Sequence, residues 1–411
     1  MVSGGARAVA RCDALGVPPY SDMAGGLYRG YLTPAYAHAQ AALAGWMEEA
    51  GMAVRRDPAA NLIGRYEGLD PAAPALLIGS HLDSVRDAGC YDGPLGIMLG
   101  VEAVAALHRA GRRLPFPIEV IAFGDEEGSR FPAAMLTSRA VAGTLVAEAL
   151  DLNDGDGVAL GDAGVDIGAY LSAARAPETT LAYLEAHIEQ GPVLEAQGLA
   201  LGTVTGIAAQ LRYQVTLRGM AGHAGTTSMP LRRDALAGAA EAMLAIEGLA
   251  RDAASDLVAT VGRIEALPGA ANVIPGEVRF TIDVRSGDAA RRDSAAEAMI
   301  DAITGIAGRR RLDVATTLVH DLPASPCDPQ LTGLMDAAIV GTGQPPFRLV
   351  SGAGHDAMVM AALCPTAMLF IRCKDGISHN PAEHVDPADA DAALQAMLGF
   401  IDKLGETFAA A

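Results

Sequence analysis

ALLIGSHLDSVRDAGCYDGPLG, residues 75–96, decides the fold. Its opening, Ala75 to Gly79, is a continuous apolar run of strand length. His81 and Asp83 follow directly. A polar, glycine-bearing stretch then leads to Asp92 and to a segment with Pro94 in its first turn, where Leu95, Met98, Val101 and Ala105 recur at helical spacing. Farther on, Ile118 to Phe123 (IEVIAF) is a second apolar strand run, followed by Asp125-Glu126-Glu127. Upstream, Ala41 to Met52 carries helix formers around Trp46. Buried strands alternating with helices predict an α/β unit with a mixed, mostly parallel sheet covered on both faces. In open sheets of this type ligands gather beyond the carboxyl ends of the strands. The polar residues after these two strands are therefore the ones to read for chemistry.

Working outward, the rhythm changes between about 207 and 322. Arg212 to Arg218 (RYQVTLR) alternates, with Tyr213, Val215 and Leu217 on one face. A helix is predicted from about Asp234 to Asp252, strands over Leu257–Ile264 and Glu277–Val284, a helix over Ala289–Ile306 and a strand over Leu312–His320. That order, β-α-β-β-α-β, is a ferredoxin-like α+β sandwich. Met358 to Cys373 returns to apolar runs like those of the first part, so the sandwich reads as an insertion. The predicted division is a catalytic domain of residues 1–206 and 323–411 and an inserted domain of residues 207–322. Asp151 to Asp166 is rich in Gly and Asp and reads as a surface excursion. Its glycines miss the dinucleotide spacing and no strand precedes them.

A chain of 411 residues suits two domains. Aromatics make up only 4% of it, so the core must come mainly from Ala, Val, Leu, Ile and Met. The formal net charge of −19 argues against a nucleic-acid groove, which needs clustered Lys and Arg. An anionic small substrate is still compatible, because two or three placed arginines are enough. Cysteines stand at 12, 90, 327, 364 and 373, an odd count with no C-x-x-C pair, which suggests neither a disulfide framework nor a thiolate zinc site. The amino-terminal MVSGGARAVARCDALG lacks the apolar stretch of a signal peptide, and no run is long enough to span a membrane. A cytoplasmic location without membrane association is the expectation.

His187 (in EAHIEQGP) and His379 (in GISHNPAE) join His81, Asp83, Asp92, Glu126 and Glu127 as the residues with chemistry to offer. Neutral imidazoles and carboxylates without thiolates suit Zn2+, Mn2+ or Co2+ with open water positions. Two cations roughly 3.5–4 Å apart need a carboxylate between them. Asp92 is the predicted bridge, with His81 and His187 completing one ion and Glu127 and His379 the other. Asp83, two residues beyond His81 on an extended segment, is better placed to accept the second ring N–H of His81 and fix its tautomer. Glu126 and Glu127 are adjacent and point apart. One can ligate while Glu126 acts as general base on the attacking water and delivers the proton to the leaving nitrogen. Each piece alone is ordinary: H-x-D is commonly a turn, and a Glu-Glu pair is commonly solvated surface. The combination carries the reading, because both carboxylate-bearing segments follow buried strands.

At these residues the sequence resembles the two-metal amidohydrolases that include N-carbamoyl-L-amino acid hydrolase, allantoate amidohydrolase and β-ureidopropionase, within a wider clan of zinc exopeptidases. GSHLDSV (79–85), YDGPLG (91–96), GDEEGSRF (124–131), EAHIEQGPVLE (185–195) and GISHNPAE (376–383) carry the resemblance, in the same order and over nearly the whole chain. It implies a catalytic α/β domain, an inserted ferredoxin-like lid that also dimerises, and the ligand roles given above. MAGHAGTTSM (220–229) resembles the lid motif whose histidine, here His223, reaches the active site of the partner subunit of a homodimer. There it could stabilise an oxyanion. Arg212, Asn272 (GAANVIP) and Arg285 (DVRSG) resemble the clamp on the substrate carboxylate, for which the arginine fork is suited. Gln190, three residues after His187, is placed to hydrogen-bond a ureido group. His355 and Asp356 (SGAGHDAM) are expected near the site, supporting either the metals or the substrate. Ser228 stands where the family has proline, which affects the local lid turn. Cys90, beside Asp92, is a metal ligand only on the least favoured reading.

The reaction these features imply is hydrolysis of a ureido C–N bond in a small carboxylate substrate. RLVSGAGHDAMVMAALCP (348–365) and the amino-terminal segment look slightly more like allantoate amidohydrolase than N-carbamoyl-L-amino acid hydrolase. The more distant readings are an aminopeptidase or dipeptidase and a metal-holding protein without catalysis. The clamp with Gln190 speaks against the first, and the intact Glu126 against the second.

Overall fold

The computed structural model describes residues 2–251 and 255–410. The chain divides into two compact units: Met1–Thr205 with Cys327–Leu349 and Ala353–Ala411, and Gly206–Pro326 with Val350–Gly352. Relative to the predicted boundaries, the second junction falls at Pro326, and the short stretch 350–352 joins the smaller unit.

The first unit is built on a mixed sheet. Ala75–His81 runs parallel to Ile118–Phe123 on one side and to Thr180–Ile188 on the other, and Thr366–Ile371 continues the parallel set. Leu62–Tyr66, Ala53–Arg56 and Leu201–Ile207 extend it with antiparallel pairings. The parallel pairings join the four central strands, and the flanking strands turn back on their neighbours. Every residue of Ala75–His81, Ile118–Phe123 and Thr366–Ile371 is buried, as two covered faces require. Pro94–Arg109 packs against this sheet and is buried nearly all round, with proline at its start where no amide partner is missed. Its one buried acid, Glu102, receives Arg7 and Arg11 from the helix Gly4–Leu15. Pro387–Ala410 packs on Pro329–Gly341 and on Gly4–Leu15.

The consequence for function is positional. Four parallel strands end at His81, Phe123, Ile188 and Ile371, and the register aligns His81 with Phe123 and Ile188 with Ile371. The segments bearing the candidate ligands all sit at, or leave from, that one edge.

In the second unit an antiparallel sheet runs Ile264–Leu267, Glu277–Ser286, Ala209–Arg218, Asp313–Leu322, with Val258–Thr260 also paired to Glu277–Ser286. Two helices, Ala235–Ala250 and Ala289–Arg310, pack on it, capped by Asp234 and Asp288, each of which accepts two backbone amides. Val215 and Leu217 face the core while Gln214 and Arg218 are exposed.

Several elements differ in extent from the sequence reading. The helix expected from Ala41 starts at Pro34, set by Thr33, whose side chain accepts the Tyr36 amide. Asp252, the predicted end of the next unit's first helix, lies outside the described residues. The strand expected over 257–264 breaks into Val258–Thr260 and Ile264–Leu267 around Gly262. Among the described residues no helix is long and apolar enough to cross a membrane.

Candidate metal centre

Asp92 follows the first central strand and precedes Gly93, whose backbone (φ +86°, ψ −64°) is closed to other residues. That turn buries the Asp92 carboxylate among imidazoles. Oδ1 lies 3.1 Å from His187 Nε2 and 3.4 Å from His81 Nε2, and Oδ2 lies 3.3 Å from His379 Nε2. His379 Nε2 is in turn 3.3 Å from Glu127 Oε1. Two groups of potential ligand atoms therefore share Asp92: His81 and His187 on one oxygen, Glu127 and His379 on the other. Glu126 forms a third group with His81 and Glu127, so its carboxylate converges on the same space.

The backbone explains why these side chains meet. His81 closes its strand, and its Nδ1 lies 3.1 Å from the Asp83 carbonyl. Asp83 is fully buried, and its two carboxylate oxygens accept the amides of Glu126 (3.2 Å) and Glu127 (3.3 Å). One aspartate thus holds the loop after the second strand against the end of the first. His187 sits inside its strand, and its Nδ1 lies 2.9 Å from the carbonyl of Ile188. Gln190 and His379 both have positive φ, which turns their side chains back toward Asp92. Gln190 Nε2 donates to Asp92 Oδ2 (2.8 Å) and to Ser378 Oγ (3.3 Å), while its buried carbonyl oxygen has no partner.

The arrangement fits divalent cations. Asp92 Oδ1 and His187 Nε2 face one another in the interior, yet neither makes a hydrogen bond, a costly arrangement unless something else satisfies both. The electrostatics agree. Burial alone would raise the Asp92 carboxyl, but His187, His379 and His81 outweigh it and hold it well below the ordinary range. Burial would likewise lower the His81 imidazole, yet Asp83 and Asp92 push it well above its usual value. His187 is raised by Asp92 against burial, and His379, beside Asp92 and Glu127, reaches about 10. In the bare protein this cluster binds protons, as a site shaped for positive charge does. Burial pushes the Glu126 carboxyl well up, partly offset by His81.

His355 packs edge-on to His187, with ring centroids 4.4 Å apart, and burial holds it well below its usual range. Asp356 is fully buried and pushed up to about 8 by burial and Glu185. Neither joins the ligand groups. Cys90 also stands outside them, with a thiol that burial pushes up to about 11.

The remaining predicted residues lie in the second unit, at two places. Arg212 and Arg285 converge on Asp283, Arg212 through Nε and Nη2 (3.1 and 2.7 Å) and Arg285 through Nε (2.7 Å). Against burial the two guanidiniums hold the Asp283 carboxyl below its ordinary range, and all three line a cavity of about 630 Å³. His223 and Asn272 belong to a separate small ribbon, where Gly222–His223 pairs with Val273–Ile274. The Gly225 amide donates to His223 Nδ1 (3.0 Å), which leaves Nε2 as the ring nitrogen free to donate, and the residue is exposed.

Ser378 and Glu383 escaped the sequence reading. Both sit in the octapeptide that carries His379. Ser378 Oγ donates to Asp92 Oδ2, and Glu383 accepts the amides of Tyr91 and Asp92. The close spacing to His379 was their only signal. Asp283 was missed because nothing in a strand sequence distinguishes an acid that pairs with two arginines.

Imidazoles and carboxylates at the carboxyl edge of a parallel sheet, with one aspartate shared between two donor groups, are the donor set of the α/β class of metal-dependent hydrolases. Residues 77–403 match the peptidase family M20/M25/M40, and the chain belongs to that family. It is 44% identical over 363 residues to N-carbamoyl-L-amino acid amidohydrolase of Geobacillus stearothermophilus, covering 87% of this chain and 88% of that one. It is 41% identical over 429 residues to allantoate deiminase of Arabidopsis thaliana, covering 96% and 81%. Among solved structures, an amidase of the hydantoinase/carbamoylase family from Burkholderia multivorans is similar with a TM-score of 0.90 at 35% identity over 97% of each chain. AtUAH in complex with glyoxylate is similar at 0.75 and 33% identity over 98% of each.

Proposed function

We propose that this chain hydrolyses the ureido C–N bond of a small carboxylate-bearing compound, allantoate ahead of N-carbamoyl-L-amino acids, at a centre of two divalent cations. The observation that carries the reading is Asp92, whose two oxygens face separate donor groups. His81, His187 and Asp92 would hold one ion, and Glu127, His379 and Asp92 the other. Zn2+, Mn2+ or Co2+ bound there supplies Lewis acidity toward the ureido carbonyl and makes a water acidic enough to attack near neutral pH.

The chain's own residues do the rest. Glu126 takes the proton of the attacking water and returns it to the leaving nitrogen, and its burial keeps its proton affinity high, as such a relay needs. Asp83 orients His81 through its carbonyl and the 126–127 loop through its carboxylate. The unpartnered carbonyl oxygen of Gln190 is an acceptor for a ureido N–H, a group that dipeptides lack at this point. In this reading the second unit is a lid: Arg212, Arg285 and Asn272 grip the substrate carboxylate. His223, through its Nε2–H, donates to the developing oxyanion from the partner subunit of a homodimer.

A ureido substrate agrees with relatives named for allantoate and for N-carbamoyl-L-amino acids, and the identity to the Geobacillus enzyme favours N-carbamoyl-L-amino acids as the second choice. The test is ammonia release by the Mn2+-loaded protein from allantoate and from N-carbamoyl-L-amino acids, including N-carbamoyl-β-alanine, beside a dipeptide panel. Allantoate turnover is expected to be fastest. Peptide cleavage without ureido turnover would reverse the assignment. For the shared site, mixing inactive His223→Ala and Glu126→Gln chains should restore part of the activity through hybrid dimers. No recovery in dimers shown to exchange would remove His223 from that role.

A further inference from the structure

We propose that Glu383 is the positioning residue that sets Asp92 between its two donor groups. The inference rests on the metal reading above.

Glu383 is buried, and its Oε1 accepts two backbone amides, from Tyr91 at 2.7 Å and from Asp92 at 3.1 Å. Accepting the amide of Asp92 itself fixes where that residue's Cα–Cβ bond points. The second oxygen, Oε2, lies 3.2 Å from Ser378 Oγ, and that hydroxyl also reaches Asp92 Oδ2. One carboxylate therefore grips Asp92 from behind through its backbone and borders the hydroxyl that holds it in front.

The segment that carries Glu383 also carries the opposite ligand. Residues 380–383 close a turn, in which the Glu383 amide donates to the Asn380 carbonyl (3.0 Å) and the Ala382 amide to Asn380 Oδ1 (2.9 Å). His379 stands between that turn and Ser378, the residue whose hydroxyl lies against Glu383 Oε2. A displacement of Glu383 would move Asp92 and His379 relative to each other, and both belong, with Glu127, to the second donor group. The packing leaves no slack: a Cβ on Gly89 would collide with the Glu383 side chain, so the chain before Tyr91 closes directly on it. A second buried carboxylate beside Asp92 costs electrostatically. Two charge-assisted amide bonds on one of its oxygens offset part of that cost.

The role is geometric, so it predicts a distinction between variants. In Glu383→Gln the amide oxygen still accepts both backbone N–H groups, and its NH2 can face Ser378. In Glu383→Ala both acceptors are gone. Glu102→Gln serves as a control, since Glu102 is another buried acid of the same unit, held by Arg7 and Arg11 on the helix Pro94–Arg109 rather than at the ligand atoms.

Metal-free full-length protein is titrated with Co2+ by calorimetry, and the Co2+ visible spectrum and urea unfolding are followed in parallel. Wild type is expected to bind two Co2+. Glu383→Ala should bind about 10- to 100-fold more weakly, the loss typical when the support of a metal ligand is removed, with an altered visible band. Glu383→Gln should stay close to wild type, and Glu102→Gln should lose stability without losing Co2+ affinity. Where Glu383→Ala does not fold, Gly89→Ala, which displaces the carboxylate without deleting it, should weaken Co2+ binding beyond the Glu102→Gln control. Wild-type affinity in Glu383→Ala, or in a folded Gly89→Ala, overturns the proposal, as does a Glu383→Gln variant that loses as much as the alanine. If wild type itself takes up no Co2+, the metal reading fails instead.

Discussion

Replacing Gly93 by alanine should damage the centre without touching any ligand. Gly93 has φ +86° and ψ −64°, a region that costs a side-chain-bearing residue about 1–3 kcal/mol. A Cβ there would lie 2.5 Å from the His81 carbonyl oxygen and 2.6 Å from Nδ1 and Cε1 of the His81 ring. The carbonyl belongs to a central strand and cannot yield, so the imidazole must turn. Turning it gives up the 3.1 Å contact of Nδ1 with the Asp83 carbonyl and moves Nε2 away from Asp92. Overpacking of this kind adds about 1–3 kcal/mol, for a total of roughly 2–6 kcal/mol. Gly111→Ala is the internal control: it also has positive φ (+63°) but nothing within 4 Å of its Cβ, so it should cost only the backbone part, about 1–2 kcal/mol. Urea unfolding of both metal-free variants measures the difference. Co2+ titration should find that Gly93→Ala weakens the ion on the His81–His187 side, while the Glu127–His379 side still fills. Equal stabilities for the two glycine variants, or two undiminished Co2+ sites in Gly93→Ala, would refute the geometry.

Glu126→Gln should keep both cations, measured by elemental analysis, while turnover falls by about 10²- to 10⁴-fold, the range for a lost general base. Arg285→Gln should raise KM for the carboxylate substrate by roughly 10- to 100-fold with a smaller change in kcat, since a hydrogen bond to a charged group is worth about 1.5–3 kcal/mol. Stability of the metal-free protein should depend on pH through His379, raised from its ordinary 6.5 to about 10 by Asp92 and Glu127. A group raised in the folded state stabilises fully below its unfolded pKa and loses that contribution as pH climbs through the folded value. Urea midpoints should therefore decline from about pH 6.5 toward pH 10 in wild type and less steeply in His379→Ala, with the exposure of His379 limiting the size. Identical pH profiles for the two proteins would remove His379 from the proton-binding cluster.

Much of this was readable from the chain because strand ends and motifs coincide. His81 and Glu126-Glu127 directly follow apolar runs, so the rule that ligands lie beyond strand ends points to them from the sequence. The alternation in RYQVTLR agrees with the strand Ala209–Arg218, and the two helices read from the sequence overlap Ala235–Ala250 and Ala289–Arg310. What was not legible depends on neighbours far apart in sequence. The extent of the parallel pairing is set by which strands meet, and Leu62–Tyr66 carries no mark that it will lie antiparallel to Ile118–Phe123. Glu383 and Asp92 are joined by backbone amides, which no side-chain pattern reports. Asp283 reads as an ordinary strand acid until Arg212 and Arg285 are seen on either side of it.

The acids around the centre connect its chemistry to the stability of the fold. Asp83, Asp125, Glu126, Glu185, Asp356 and Glu383 are all buried in the first unit together with Asp92. The buried guanidinium of Arg29 donates to the carbonyls of Leu82, Leu15 and Tyr20 rather than to a carboxylate. So much buried negative charge cannot remain fully ionised in a bare interior: burial pushes Asp125 and Asp356 up to about 8 and Glu383 up to about 7. Protons supply the missing positive charge, and divalent cations entering between Asp92 and the imidazoles would replace them. Metal uptake should then release protons, strengthen as pH rises, and raise the unfolding free energy of this unit in proportion to the logarithm of cation concentration. The buried carboxylates that surround the centre thus make the unit less stable without the cations, so occupancy of the centre and integrity of the sheet edge beneath it form one linked equilibrium.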